Sequence, residues 1–300
     1  MVEVDHAQIN FDSNGLFILN IALAIVMFGV ALGINIQDFK QLIKQPKPIL
    51  VGLLSQFVLL PLVTFLLVIL IQPEPSIALG MFMVAACPGG NISNFITHLS
   101  KGNTALSISL TAFASVLALV FTPFNFQLYG NLYAPTATIL KSVTLQPMAI
   151  FKIMALILGL PLIGGMLLNY YRPKWSNQLS KVLKPVSIFI FISIIVIAFS
   201  KNITVFTDFI HHVLAIGISH NIVALLLGFL VAKAFRLSFK NQKTLSIETG
   251  IQNSGLGLLL VFTFFDGLGG MAVLVAFWGI WHIISGLILA SFWTRSNEKI

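Results

Sequence analysis

The chain has 300 residues, 57% of them hydrophobic and only 9% charged, with a mean hydropathy of +0.98. A soluble domain carries about 25% charged residues, so this composition excludes a water-soluble globular protein and implies an integral membrane protein. The net charge of +8 would suggest nucleic acid on a soluble chain, but here the basic residues are read as topology signals and no nucleic-acid partner is expected.

Apolar runs predict nine membrane spans at roughly 15–34, 47–71, 76–100, 103–125, 147–170, 183–200, 208–232, 243–265 and 270–294. Residues 1–14 hold Glu3, Asp5 and Asp12 but no Lys or Arg, so a cleavable signal is not expected. With the N-terminus outside and the C-terminus inside, the inner side receives 14 of the 17 basic residues, leaving Lys141, Lys152 and Lys201 outside. That bias supports an odd number of spans in this orientation. The single cysteine, Cys87, cannot form an internal disulfide.

Two spans are irregular. The third contains Cys87-Pro88-Gly89-Gly90-Asn91-Ile92-Ser93-Asn94, where Pro88 removes a helical donor and the paired glycines make continuation unfavourable. The eighth contains Glu248-Thr249-Gly250-Ile251-Gln252-Asn253-Ser254-Gly255. In the predicted topology these two run in opposite directions, and each is followed by one further span. Matching interruptions in antiparallel halves point to an inverted-repeat transporter with its site near the midplane. The first half has four spans and the second five, so the first helix of repeat one is expected to be missing.

Glu248 is the only acidic residue in the middle of an apolar run. A carboxylate there costs at least ~2.5 kcal/mol on insertion scales and marks a functional site by default. No Lys or Arg lies mid-span to pair with it, so it must be protonated, hydrogen-bonded or facing a bound cation. Candidate oxygen ligands are Ser93, Asn94, Gln56, Gln252 and the carbonyls near Thr249 and Ile251. Ser107 and Thr111, four apart on one helix, present both hydroxyls to one side. One carboxylate among neutral oxygens suits a monovalent hard cation, and sodium is the natural choice. The competing structural account is a protonated Glu248, with Ser and Thr hydroxyls bonded back to their own helices.

Asn91 and Asn253 follow or lie within the breaks, where half-helix N-termini attract anionic groups, although both amides could instead cap helix fragments. His282 lies mid-span, as does His220-Asn221, and a lone buried histidine is more often a packing residue than a ligand.

Pro88 to Asn94, Glu248 to Leu256 and Trp281-His282-Ile283-Ile284-Ser285-Gly286 together resemble the bile acid:sodium symporter family, particularly its bacterial members. The resemblance covers nearly the whole chain. It implies a single all-α polytopic transmembrane domain in which two discontinuous helices, 76–100 and 243–265, cross. A panel at roughly 15–45 and 147–200 would stand beside a core at roughly 47–125 and 208–294. It also implies two sodium sites, one using Ser93, Asn94, Ser107, Thr111 and Glu248, the other Gln56, Glu248, Thr249, Ile251 and Gln252. The organic anion, a bile acid or a small carboxylate such as pantoate or pyruvate, would sit near Asn91, Asn253 and His282. The bilayer would be a bacterial inner membrane. The sequence departs from the family pattern in lacking the extra first helix of ten-helix bacterial members, and in having Asn91 where a small hydroxyl residue is common.

The expected function is therefore sodium-coupled symport of an organic anion by alternating access. Proton coupling through Glu248 is the alternative, and a non-transporting membrane sensor is a third reading. An enzyme is not expected, because neither a nucleophile–base pair nor a metal-binding histidine cluster is visible.

Overall fold

The computed structural model describes Ile21, Ala24, Ile25, Phe28, Gly29 and 31–33, then 46–90, 92–142, 159–201 and 203–296. Asn91, most of the predicted first span and the start of the fifth lie outside the described residues. Every element among the described residues is helical. In chain order they are α1 (Pro46–Leu54), a π-helical turn (Ser55–Leu59), α2 (Leu60–Ile71), α3 (Pro75–Ala86), α4 (Ile92–Leu99), α5 (Thr104–Leu132) and α6 (Ala134–Ser142). Beyond these come α7 (Leu160–Tyr171), α8 (Pro173–Lys201), α9 (Ile203–Ala234), α10 (Phe239–Gly250), α11 (Ser254–Phe265) and α12 (Gly269–Ser296). Among the described residues four stretches are long and apolar enough to cross a bilayer: Pro46–Ile71, Thr104–Leu132, Val213–Ala234 and Gly269–Thr294. Pro75–Ala86 and Ser254–Phe265 are shorter apolar helices.

The π turn has a local cause. Pro61 has no N–H for the carbonyl four residues back, Phe57, and its ring crowds the preceding turn. The helix widens before it, with Leu60 N–H donating to the Ser55 carbonyl. The orphaned Phe57 carbonyl accepts from Asn125 Nδ2 of α5 at 2.9 Å. This turn carries Gln56 and Ser55, both fully buried, into the centre of the protein.

The third predicted span does break. Cys87, ahead of Pro88, is extended at φ −70° and ψ 155°, the conformation a residue before proline is pushed towards. After α4 the chain reverses over Ser100 to Asn103. Lys101 takes φ 55° and Gly102 N–H bonds the Thr97 carbonyl at 2.9 Å, a helix-closing pattern that normally uses glycine at the left-handed position. The eighth span breaks between α10 and α11.

Several boundaries differ from the expected ones. The fourth span runs past 125 to Leu132, with Pro123 inside the helix, and a further short helix, α6, packs where a loop was expected. A proline removes one hydrogen bond, which the long apolar packing face of α5 outweighs. The sixth span begins at Pro173, ten residues early, because helical geometry carries on through its polar N-terminal turns. The seventh extends to Ile203 and Ala234 for the same reason.

The main apolar core is built from α3, α11 and α12. Met81, Val261, Met271, Leu274 and Trp278 are all fully buried in it. Its consequence for the site is rigidity: α3 and α11, one half-helix of each break, are held by this close-packed interior, while α4 and α10 meet in a smaller buried cluster of Ile96, Ile247, Ile251, Ala290 and Trp293.

Candidate functional site

The two breaks pass each other as a short antiparallel pair. Gly90 N–H donates to the Ile251 carbonyl at 2.9 Å and Asn253 N–H to the Pro88 carbonyl at 2.8 Å, with Gly89 opposite Gln252. The approach requires glycine on the first strand. A Cβ on Gly89 would stand 2.9 Å from both Gln56 Nε2 and Glu248 Oε2, and one on Gly90 would stand 3.1 Å from the Gln252 carbonyl oxygen. Half-helices α3 and α10 end at this crossing, and α4 and α11 begin there. Carbonyl-rich and amide-rich helix ends therefore share one small volume, the first attracting cations and the second anions.

Glu248, fully buried, lies on the last turn of α10. Its Oε1 accepts from Ser93 Oγ of α4 at 2.5 Å and from Ser107 Oγ of α5. Thr111 Oγ1 lies 3.4 Å from Oε1, 3.3 Å from Oε2 and 3.3 Å from Asn94 Oδ1. One hydroxyl proton cannot serve three acceptors, so this is a cluster of oxygens with more acceptor capacity than donors. Beside it, Ser107 Oγ also lies 3.3 Å from Thr97 Oγ1, one more neutral oxygen at the edge of the cluster. Among the described residues no group of three His, Cys, Asp or Glu side chains gathers anywhere to hold a metal. A hard monovalent cation matches a set of one carboxylate and neutral oxygens.

The carbonyl end of α10 forms a second oxygen set. A helix leaves its last four carbonyls without helical donors. Here Ile247 accepts from Ile251 N–H, while the other three are met by side-chain amides. Gln56 Nε2 reaches the Glu248 carbonyl at 2.9 Å, Gln252 Nε2 the Thr249 carbonyl at 2.8 Å and Asn221 Nδ2 the Gly250 carbonyl at 2.8 Å. Thr249 Oγ1 meets Ser55 Oγ of the π turn at 2.9 Å. Donating their amide protons leaves Gln56 Oε1 and Gln252 Oε1 buried without a hydrogen-bond partner among the described residues. Two orphaned carbonyl oxygens beside a helix C-terminus fit a cation better than they fit a finished core, where such atoms are normally paired.

The residues expected at the anion divide. Asn91 lies outside the described residues. Asn253, half-buried, caps α11, its Oδ1 accepting from Leu256 N–H at 3.0 Å. The capping account of its amide oxygen therefore holds, and this leaves Nδ2 as the group available to an anion. His282 is buried on α12, 4% exposed. His220 is a packing residue: its Nε2 meets Thr64 Oγ1 at 2.8 Å and its ring lies 4.8 Å from that of Trp278.

Four residues at or near the site were not anticipated as participants. Ser55 could have been found from Pro61, whose missing N–H announces a disturbed turn. Asn221 and Ser285, joined at 2.6 Å, were noted only as the neighbour of His220 in mid-span and as a member of the family-like stretch 281–286. Lys243 was expected in the inner loop, yet its side chain is 1% exposed. Its Nζ donates to the Ser100 carbonyl at 3.0 Å and lies over the Phe239 and Trp293 rings at 4.9 and 5.8 Å. It thus neutralises the carbonyl end of α4 rather than Glu248.

Comparison with known sequences places this geometry. The sequence profile described as the Sodium Bile acid symporter family matches residues 20–209. The sodium-dependent transporter YocS of Bacillus subtilis is 33% identical over 281 residues, covering 94% of this chain and 84% of that protein. The sodium/metabolite cotransporter BASS1 of Arabidopsis thaliana chloroplasts is 29% identical over 93% of this chain and 67% of its own length. The sodium-dependent organic anion transporter of Mus musculus is 29% identical over 93% of this chain and 74% of its own length.

Proposed function

Because the chain belongs to the Sodium Bile acid symporter family, a family of sodium-dependent membrane transporters, we propose that it is a symporter driving an organic anion across a bilayer with sodium. The observation that carries this reading is the fully buried Glu248, surrounded by neutral oxygens at the crossing of two broken helices. Ser93, Asn94, Ser107, Thr111 and Glu248 hold one sodium ion. Gln56, Gln252, the Thr249 and Ile251 carbonyls and Glu248 hold a second. The anion, a small carboxylate or a larger amphipathic acid, sits where the amide ends of α4 and α11 meet, near Asn91, Asn253 and His282.

These groups set the chemistry of each step. Sodium neutralises the carboxylate and takes up the orphaned amide oxygens, which draws α4, α5, α10 and the π turn together. That shapes the amide-rich face beside it for an anion. A core of roughly 47–125 and 208–294 then moves against a panel of roughly 15–45 and 147–200, with the two halves of the chain acting as inverted repeats. The N-terminus is outside and the C-terminus inside the membrane. With two sodium ions per monoanion, one net charge crosses per cycle. This is worth ~2.3 kcal/mol per 100 mV, or about 50-fold accumulation before any sodium gradient is counted.

The neutral oxygens gathered around the Glu248 carboxyl, together with the unpartnered amide oxygens of Gln56 and Gln252, make a set suited to a hard cation, which favours sodium over proton coupling. The test is uptake into proteoliposomes of carboxylates and sulfonates first selected by thermal shift, with an inward sodium gradient and with potassium in its place. Uptake that tracks sodium is expected, and uptake that tracks only a pH gradient would overturn the reading.

A further inference from the structure

Asn221 belongs to neither oxygen set, yet it is fully buried and both ends of its amide are used. Its Nδ2 donates to the Gly250 carbonyl at 2.8 Å, and its Oδ1 accepts from Ser285 Oγ at 2.6 Å. The Gly250 carbonyl settles which way round the amide sits, because it can only accept and so faces Nδ2; Oδ1 is then turned to the Ser285 hydroxyl, which also lies 3.2 Å from the His282 carbonyl. The bond joins three helices, α9, α10 and α12, at the residue where α10 stops.

Gly250 is a weak point in a site that needs fixed geometry. It cannot be any larger residue, since a Cβ there would lie 2.3 Å from Leu225 Cδ2 and 3.2 Å from Leu225 Cα. The same seam is tight throughout. A Cβ on Gly228 would lie 2.3 Å from the Leu245 carbonyl oxygen, and Ser246 Oγ donates to the Leu225 carbonyl at 2.7 Å. A glycine at a helix end has the least intrinsic restriction on φ and ψ. Helical bonding restrains only one side of this peptide: Ile251 N–H donates to the Ile247 carbonyl at 2.9 Å, but Ser254 N–H turns to the Gln252 carbonyl and leaves the Gly250 carbonyl to the side-chain amide. The flanking carbonyls, Thr249 and Ile251, are those assigned to the second cation.

We infer that Asn221, braced by Ser285, is a positioning residue for that second cation: it holds the carbonyl side of the Gly250–Ile251 peptide plane, the side helical bonding leaves open, and thereby aims the carbonyls on either side of it. This rests on the assignment of Gln56, Thr249, Ile251 and Gln252 as a sodium set. Outer partners that orient first ligands commonly change metal affinity by about 10–100-fold when removed.

The test monitors thermal unfolding of the purified full-length protein as sodium replaces potassium at constant ionic strength, with sodium itself as the probe. Wild type should unfold at higher temperature in sodium with a definable half-saturation. Asn221→Leu should raise the half-saturating concentration about tenfold or more, and Ser285→Ala, which keeps the Gly250 bond but frees the amide, about fivefold. A merely structural role would lower Tm equally in both salts and leave half-saturation where it was, and that result overturns the inference. If Asn221→Leu does not fold, Ser285→Ala decides the matter by the same criterion. A wild type without sodium-specific stabilisation overturns the symport reading itself. A responsive wild type beside unshifted variants overturns only the role of Asn221.

Discussion

The two interruptions end in the same place but arise differently. The first is written into the covalent chain: Pro88 forces Cys87 out of the helix, and Gly89 and Gly90 permit the close pass against the second break. The second contains no proline. Its last carbonyls are taken one by one by the amides of Gln56, Gln252 and Asn221, two of which come from other helices. The first break is a local property of its residues, and the second is a tertiary one. The acidic residue lies beside the second, the break whose geometry can respond to what binds there.

Removing the carboxylate should have the largest effect. Glu248→Ala should abolish sodium-specific stabilisation and reduce sodium-driven uptake in proteoliposomes by about 100-fold or more, a loss of roughly 2.7 kcal/mol. Retained uptake would detach the second break from ion binding altogether. Glu248→Gln, which keeps volume and hydrogen bonding, separates the charge from the packing.

Next comes the close approach between the breaks. Gly89→Ala should cost about 1–3 kcal/mol by overpacking against Gln56 and Glu248, and should also weaken the sodium response, as read from Tm in the two salts. Gly90→Ala, with 3.1 Å to a backbone oxygen, should be milder. Equal effects would mean that the first break is not shaped around the carboxylate.

Lys243→Met should cost about 1–3 kcal/mol, because it leaves the Ser100 carbonyl without its buried donor. Tm should fall alike in sodium and potassium with half-saturation unchanged, in contrast to Asn221→Leu. A shift in half-saturation would extend the supporting structure of the proposed ion site to the C-terminal end of α4.

The smallest effect is expected from Pro88→Ala. The bonds from Gly90 to Ile251 and from Asn253 to Pro88 survive it, so the crossing should persist with Tm lowered by a few degrees, about 1 kcal/mol, and sodium half-saturation within about threefold. Complete loss of the sodium response would show that proline alone holds the first break open.

Much of this was legible in the residues. Glu248 stood out because a carboxylate in an apolar run is expensive, and the hydroxyls of Ser93, Ser107 and Thr111 were found by type and spacing. The structure brings all four together. Gln56 was found as a polar residue in mid-span, but its reach to the Glu248 carbonyl depends on the π turn before Pro61. The boundary at 125 was misplaced because it followed the extent of an apolar run, while the helix continues to Leu132. Lys243 was read as a loop cation because sequence reports charge but not cover. Asn221 was overlooked because an isolated amide in an apolar run has many uses, and only its neighbours say which one.

The residues alone were sufficient for the membrane environment, the helical class, both interruptions and the buried carboxylate, since each reflects the cost of placing a given group in an apolar medium or an α-helix. Which amide meets which carbonyl, which way round each amide sits, and which lysine is hidden were decided only when helices distant in sequence came within hydrogen-bond reach. Such bonds act over about 3 Å, and no periodicity along the chain encodes a distance of that kind between separate helices.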